Sequence, residues 1–163
     1  MKKVILPVLI MGGFIMVQKS VWAKSGDIDP EFVRGIVKSV KAIENRTRGL
    51  PVPLIMGFVA TESSFRTKVV SSAGAVGLMQ VKPSTYKWLM EIYPNAPWQG
   101  NGLENPIENV LAGMMFLTWI NKQGLSFFGG IQAYNTGVAG YKKGTRALDY
   151  GTKVLINSFA FIL

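Results

Sequence analysis

The sequence predicts a mainly α, single-domain protein with a small irregular β or loop patch after its second helix. Three observations predict it. Apolar residues recur at three- and four-residue spacing over most of the chain. Helix-start signals stand at the head of successive stretches: Asp29-Pro30, Pro51 with Pro53, Pro83, and Asn105-Pro106. Between the second and third of these, residues 66–76 lose the helical period and run into glycines at 74 and 77. A chain of 163 residues suits one domain, and 48% apolar against 17% charged residues excludes a disordered composition.

The elements follow in order. Lys2 and Lys3 precede an apolar run from Val4 to Val17, broken only by Pro7, Gly12 and Gly13, and Val21-Trp22-Ala23 supplies the small or aliphatic positions a signal peptidase reads. Residues 1–23 are therefore expected to be a signal peptide and residues 24–163 the exported domain. The run of about fourteen residues is short against the roughly 20 of a membrane span. If it were retained it would be an anchor, the one condition for membrane contact. Asp29 caps a first helix to about Asn45, with Phe32, Ile36, Val40 and Ile43 as its apolar face. Pro51 and Pro53 open a second, with Glu62 near its C-terminal end. Pro83 starts a third, and residues 93–105, rich in Pro, Gly and Asn, form a loop. Asn105 caps a fourth helix to Lys122, with Glu108 placed to close a capping box. Two more helices span residues 126–135 and 149–159, with Asp149 a cap for the last. Trp88 and Trp119 fall in helical periodicity and read as core.

Composition narrows the chemistry. The chain has no cysteine and no histidine. Disulfides, thiolate nucleophiles, lipid attachment at an N-terminal cysteine, Ser-His or Cys-His pairs and His-rich zinc sites are excluded. No metal-ligand cluster is visible, and no cofactor is called for. The formal charge of +9 includes Lys2, Lys3 and Lys19, so the mature chain would carry +6. That balance suits anionic cell-wall polymers or lipid head groups. The basic residues are scattered and no nucleic-acid motif is present, so no nucleic-acid partner is expected.

Acid/base work then falls to nine carboxylates. Asp27, Asp29, Glu31, Glu44, Glu91, Glu104, Glu108 and Asp149 sit at helix starts, helix ends or loops. Glu62 differs. It follows the apolar turn Met56-Gly57-Phe58-Val59-Ala60-Thr61 and closes a helix. Partial burial and the negative end of the helix dipole both disfavour its ionised form, which keeps a carboxylic acid ready to protonate a glycosidic oxygen. Placement alone also fits a solvated helix-end glutamate.

The surroundings carry more. Glu62-Ser63-Ser64-Phe65 is followed by Ser71-Ser72-Ala73-Gly74-Ala75-Val76-Gly77-Leu78-Met79-Gln80, then Pro83-Ser84-Thr85, then Ala133-Tyr134-Asn135-Thr136-Gly137. Over residues 51–155 the chain resembles the soluble lytic transglycosylase family, whose catalytic domain is related to goose-type lysozyme. The resemblance implies an α+β lysozyme-like fold with Glu62 as catalytic acid/base. It implies substrate-binding roles for Ser71, facing the reaction centre, Gln80, lining the groove, Tyr134, with its hydroxyl beside the glutamate, and Asn135, supporting that turn. Tyr134, Tyr141 and Trp98 are candidates to stack on sugar rings. Tyr150 and Val154 align with a C-terminal segment of the family, but Arg146 stands where members carry a groove glutamate.

The implied reaction is cleavage of the MurNAc–GlcNAc β-1,4 bond of peptidoglycan to 1,6-anhydroMurNAc ends. It needs one carboxylate, and no acidic residue lies between Glu62 and Glu91. Export through the expected signal peptide implies periplasmic action, and a monomer acting on glycan strands is expected. Small members often serve secretion or pilus assembly machines, which makes such proteins expected partners. A lysozyme-type hydrolase of the same bond, or a non-catalytic wall-binding subunit of such a machine, are the alternatives.

Overall fold

The computed structural model describes residues 26–162, together with the backbone of two short antiparallel strands, Leu9–Met11 (β1) and Phe14–Met16 (β2). The rest of the expected signal peptide lies outside the described residues. From Gly26 onward the chain is helical, and the helices pack around one apolar core.

Helix α1 (Pro30–Ile43) starts where Asp29 accepts a hydrogen bond from the Glu31 amide at 2.8 Å. Its buried stripe is Val33, Ile36, Val37 and Val40. The expected stripe was rotated: Phe32 and Ile43 are 59% and 67% exposed. Apolar residues at 32, 33, 36, 37, 40 and 43 span an arc of about 140° at 3.6 residues per turn, wider than the side that is buried. Docking on α2 and α4 selects which side is buried. A 3₁₀ turn, Asn45–Thr47, follows, and buried Glu44 pairs with Arg46 at 2.9 Å.

Helices α2 (Val52–Glu62) and α4 (Pro106–Asn121) are the inner pair. Leu54 to Ala60 of α2 and Glu108 to Met115 of α4 are buried without interruption. A helix apolar on all sides must be surrounded, and α1, α3 (Pro83–Ile92), α5 (Phe127–Thr136) and α7 (Leu148–Phe159) pack against the two. The short α6 (Val138–Lys142) was not expected from the sequence; five residues are too few to show a period. Among the described residues no helix is long and apolar enough to cross a membrane.

Helix starts follow the expected chemistry with two exceptions. Asn105 accepts from the amides of Ile107 and Glu108 at 2.9 and 3.1 Å, and Ser126 accepts from Gly129 at 3.0 Å. Glu108, however, closes no capping box, because the Asn105 amide is already bonded to the Gly102 carbonyl. It is fully buried instead, accepting from the Tyr86 hydroxyl and, at 2.9 Å, from the Gln99 amide. It thereby ties α3 and the 93–105 loop to α4. Asp149 does not cap α7, which starts one residue earlier with Ala147 at the cap position.

Glycine lets α7 lie directly on α2. A Cβ on Gly57 would stand 2.1 Å from Ser158 Oγ and 2.6 Å from the Val154 carbonyl oxygen. The Asn157 side-chain amide donates to Thr61 Oγ1 at 2.9 Å across the same contact. This packing brings residues 62 and 150, far apart in sequence, to one place.

Candidate active site

Glu62 is the last residue of α2. Past it the chain must leave the helix sharply, and Ser64 and Phe65 do so with φ of 51° and 61°, a region non-glycine residues seldom adopt. The turn sends Phe65 into the core and leaves Glu62 at the mouth of a cleft of about 520 Å³.

The facing wall is the patch after α2. It is not a regular sheet but a compact fold-back in which Val76 forms isolated antiparallel bridges with Val70 and Val81. Its tip is closed by the Ser71 hydroxyl, which accepts from the Ala75 amide at 3.0 Å. The Gly77-Leu78-Met79-Gln80 turn is pinned from beneath. Buried Asn109 of α4 accepts from the Met79 amide and donates to the Val76 and Leu103 carbonyls, each at 2.8 Å. Gly77, at φ 76°, sits so close to Asn109 that a Cβ would lie 2.3 Å from its side-chain nitrogen. Glycine is needed there on both counts. The Gln80 amide nitrogen donates to the Val69 and Gly77 carbonyls at 3.0 Å. Its side-chain oxygen has no bond among the described residues.

Glu62, Ser71, Gln80, Tyr134 and Asn135 all line this one cleft, with Lys82, Thr85, Phe116 and the backbone around Gly137. Glu62 is the only acidic residue in that lining. The tyrosine that meets it is not the expected one. Tyr150 of α7 donates its hydroxyl to Glu62 Oε1 at 2.5 Å. The Tyr134 hydroxyl, buried, donates to the Met79 carbonyl at 2.8 Å, and its ring is held between Phe58 and Phe116 with centroids at 4.9 and 5.3 Å. Tyr134 thus braces the turn and is closed to sugar stacking. Tyr141 and Trp98 are outside the cleft lining. Arg146 covers the Tyr141 ring at 4.1 Å while bonding the Tyr141 and Thr145 carbonyls. Trp98 donates to the Tyr93 carbonyl and packs edge-on against Tyr86. Phe116, backed by the parallel ring of Trp119 at 6.0 Å, lines the cleft beside Tyr134.

Burial pushes the Glu62 carboxyl up from 4.5 to about 6; the Tyr150 hydroxyl and the nearby charge of Lys153 hold it from rising further. The same burial, with Glu62 beside it, holds the Tyr150 phenol well above its usual range, so it stays a donor at any working pH. A half-buried carboxyl balanced near neutrality, with one oxygen bonded and the other without a protein partner among the described residues, can both give and take a proton. No group of three or more His, Cys, Asp or Glu among the described residues could hold a metal ion.

Fold and cleft together define a lysozyme-like helical domain with a single carboxylate in the lining of its cleft. The profile of the Transglycosylase SLT domain family matches residues 40–153. The chain belongs to that family. Its relatives include the endo-type membrane-bound lytic murein transglycosylase A of Klebsiella pneumoniae, 39% identical over 74 residues, covering 43% of this chain and 36% of that protein. The membrane-bound lytic murein transglycosylase C of Glaesserella parasuis is 36% identical over 101 residues, covering 55% and 27%. The chain therefore spans about a third of the length of the curated relatives it matches. Among solved structures, an inactive glutamate-to-glutamine mutant of the lytic transglycosylase Slt from Pseudomonas aeruginosa superposes with a TM-score of 0.60 at 25% identity, over 79% of this chain and 23% of that one. The 70 kDa soluble lytic transglycosylase of Escherichia coli shares the fold, with a TM-score of 0.56 at 23% identity over 75% and 20%.

Proposed function

We propose that this protein is a lytic transglycosylase that cleaves the MurNAc–GlcNAc β-1,4 bond of peptidoglycan with Glu62 as its single acid/base. The observation that carries the reading is the cleft itself: one carboxyl, pushed to about 6, and no second acidic residue in the lining. Glycosidases that use water commonly need two carboxylates flanking the bond. A reaction whose nucleophile is the substrate's own hydroxyl needs one.

The steps balance on one proton. Glu62 gives its proton to the glycosidic oxygen as the bond from MurNAc C1 breaks. The MurNAc 6-hydroxyl oxygen then bonds to C1, and its proton passes to the Glu62 carboxylate, restoring the acid. The products are a 1,6-anhydroMurNAc end and a free GlcNAc 4-hydroxyl, with no water consumed. Ser71, Gln80 and Asn135 line the same cleft and supply the polar contacts that hold the strand, Gln80 through its free side-chain oxygen. Tyr150 holds the Glu62 carboxyl in place, and Tyr134 holds the Gly77–Gln80 turn.

Residues 1–23 act as an export signal in this reading, and the domain works in the periplasm as a monomer. Local opening of the wall for a secretion or pilus apparatus is the role we assign to it, and the basic charge suits the anionic wall polymer. The test of the catalytic core is Glu62→Gln. Wall solubilisation should fall at least a hundredfold while the far-ultraviolet circular dichroism stays unchanged, the scale set by general acid catalysis. A folded variant that solubilises walls at the wild-type rate refutes the assignment.

A further inference from the structure

We propose that Lys82 is a specificity-determining residue that binds a carboxylate carried by the muramic-acid sugar of the strand. The proposal deepens the transglycosylase reading and rests on it.

Lys82 lines the same cleft as Glu62, two residues beyond Gln80. Its side chain is exposed and makes no ion pair or hydrogen bond within the described residues, where the ion pairs are Arg34–Glu31 and Arg46–Glu44. The fold does not use it. Lys82 occupies the cap position of α3, yet makes no side-chain capping bond. Nor is it a drifting surface lysine. Val81, just before it, is bonded in both directions to Val76 at 3.0 and 3.1 Å, and Pro83, just after it, restricts its backbone to the extended conformation seen, φ −75° and ψ 142°. A fixed backbone point in the cleft lining thus carries an exposed cation that has no partner among the described residues. The only anion in the lining, Glu62, is half-buried and already bonded to Tyr150. A charge left unpaired in a concave site attracts an opposite charge from the ligand.

The glycan supplies one on alternate sugars only. GlcNAc is neutral. MurNAc carries a lactyl group whose carboxyl is either free or amide-linked to a stem peptide, which brings carboxylates of its own. A lysine lining the same cleft as Glu62 therefore reads the register of the strand and selects which of the two alternating β-1,4 bonds lies at Glu62. An ammonium–carboxylate contact at a partly exposed site is worth about fivefold in affinity, and salt weakens it.

The test measures binding to the full chain carrying Glu62→Gln, which prevents turnover, with and without Lys82→Met and Lys82→Arg. The ligands are peptide-bearing strands, strands stripped of peptides by an amidase, and neutral chitohexaose. Lys82→Met should weaken at least one anionic ligand about fivefold, change chitohexaose less than twofold, and lose the salt dependence; Lys82→Arg should restore both. Weakening confined to intact strands identifies the stem peptide as the source of the carboxylate, and weakening on stripped strands identifies the lactyl group. Equal weakening of all three ligands, or of none, overturns the proposal. Wild-type cleavage of the same strands is followed in parallel. Absence of anhydro products there defeats the transglycosylase reading, whereas anhydro products with no charge-dependent contrast defeat the role of Lys82 alone.

Discussion

Tyr150→Phe tests how the site sets its proton affinity. The Tyr150 hydroxyl donates to Glu62 at 2.5 Å, and it is the larger of the two influences that hold the carboxyl down against burial. A hydrogen bond to a charged group contributes about 1.5–3 kcal/mol. Losing it should raise the carboxyl by about 1–2 pH units, from about 6 to about 7–8. If protonated Glu62 is the acid, the high-pH limb of kcat/KM should move up by that amount. At pH 7.5 the protonated fraction would rise from a few per cent to about a quarter or more, roughly tenfold. The plateau at low pH should fall, because the carboxyl loses the bond that aims it. The assay is the full pH profile on soluble glycan strands, since limb position reports proton affinity and plateau height reports positioning. A limb that stays within about 0.3 units, or moves to lower pH, contradicts the reasoning.

Three further outcomes follow from particular contacts. Glu62 is raised in the folded chain above its ordinary 4.5, so it costs stability above about pH 6 and nothing below about 4.5. Glu62→Gln should therefore stabilise the protein by about 1–2 kcal/mol at pH 7.5, with the gain vanishing near pH 4, as read by thermal melts at both values. Asn109→Ala removes three hydrogen bonds, two of them buried, under the Gly77–Gln80 turn and should cost about 3 kcal/mol in urea unfolding, with loss of activity beyond the loss of fold. Gly57→Ala would force a Cβ against the α7 backbone. It should cost about 1–3 kcal/mol and shift the Glu62 limb in the direction of Tyr150→Phe, as α7 is pushed off α2.

What the sequence revealed was mostly local. Asp29-Pro30 and Asn105-Pro106 announce their helices because the cap side chain and the proline act within one turn. The wholly apolar stretch 54–60 announces a central helix because nothing on it can face water. Glu62 stood out as the carboxylate at the end of that stretch, and the cleft collects it with Ser71, Gln80, Tyr134 and Asn135. What stayed hidden depends on distant partners. The buried side of α1 is selected by helices that follow it. Glu108 left its capping box for a hydroxyl and an amide brought in by α3 and a loop. Tyr150 reaches Glu62 across 88 positions, and no spacing rule connects them. The available signal was indirect: Gly57 in an otherwise bulky helix marks a place where another backbone comes close, and that backbone is α7. Tyr134 lines the cleft, but its hydroxyl serves Met79 rather than Glu62. Two tyrosines aimed at one region cannot be told apart without coordinates.

The most direct test of the central claim is the mass of the muropeptides released from purified peptidoglycan. One carboxyl, with the substrate's 6-hydroxyl as nucleophile, predicts anhydro-muropeptides from the wild type and none from Glu62→Gln. Reducing-end products, heavier by one water, would contradict the account and show a hydrolase at the same cleft.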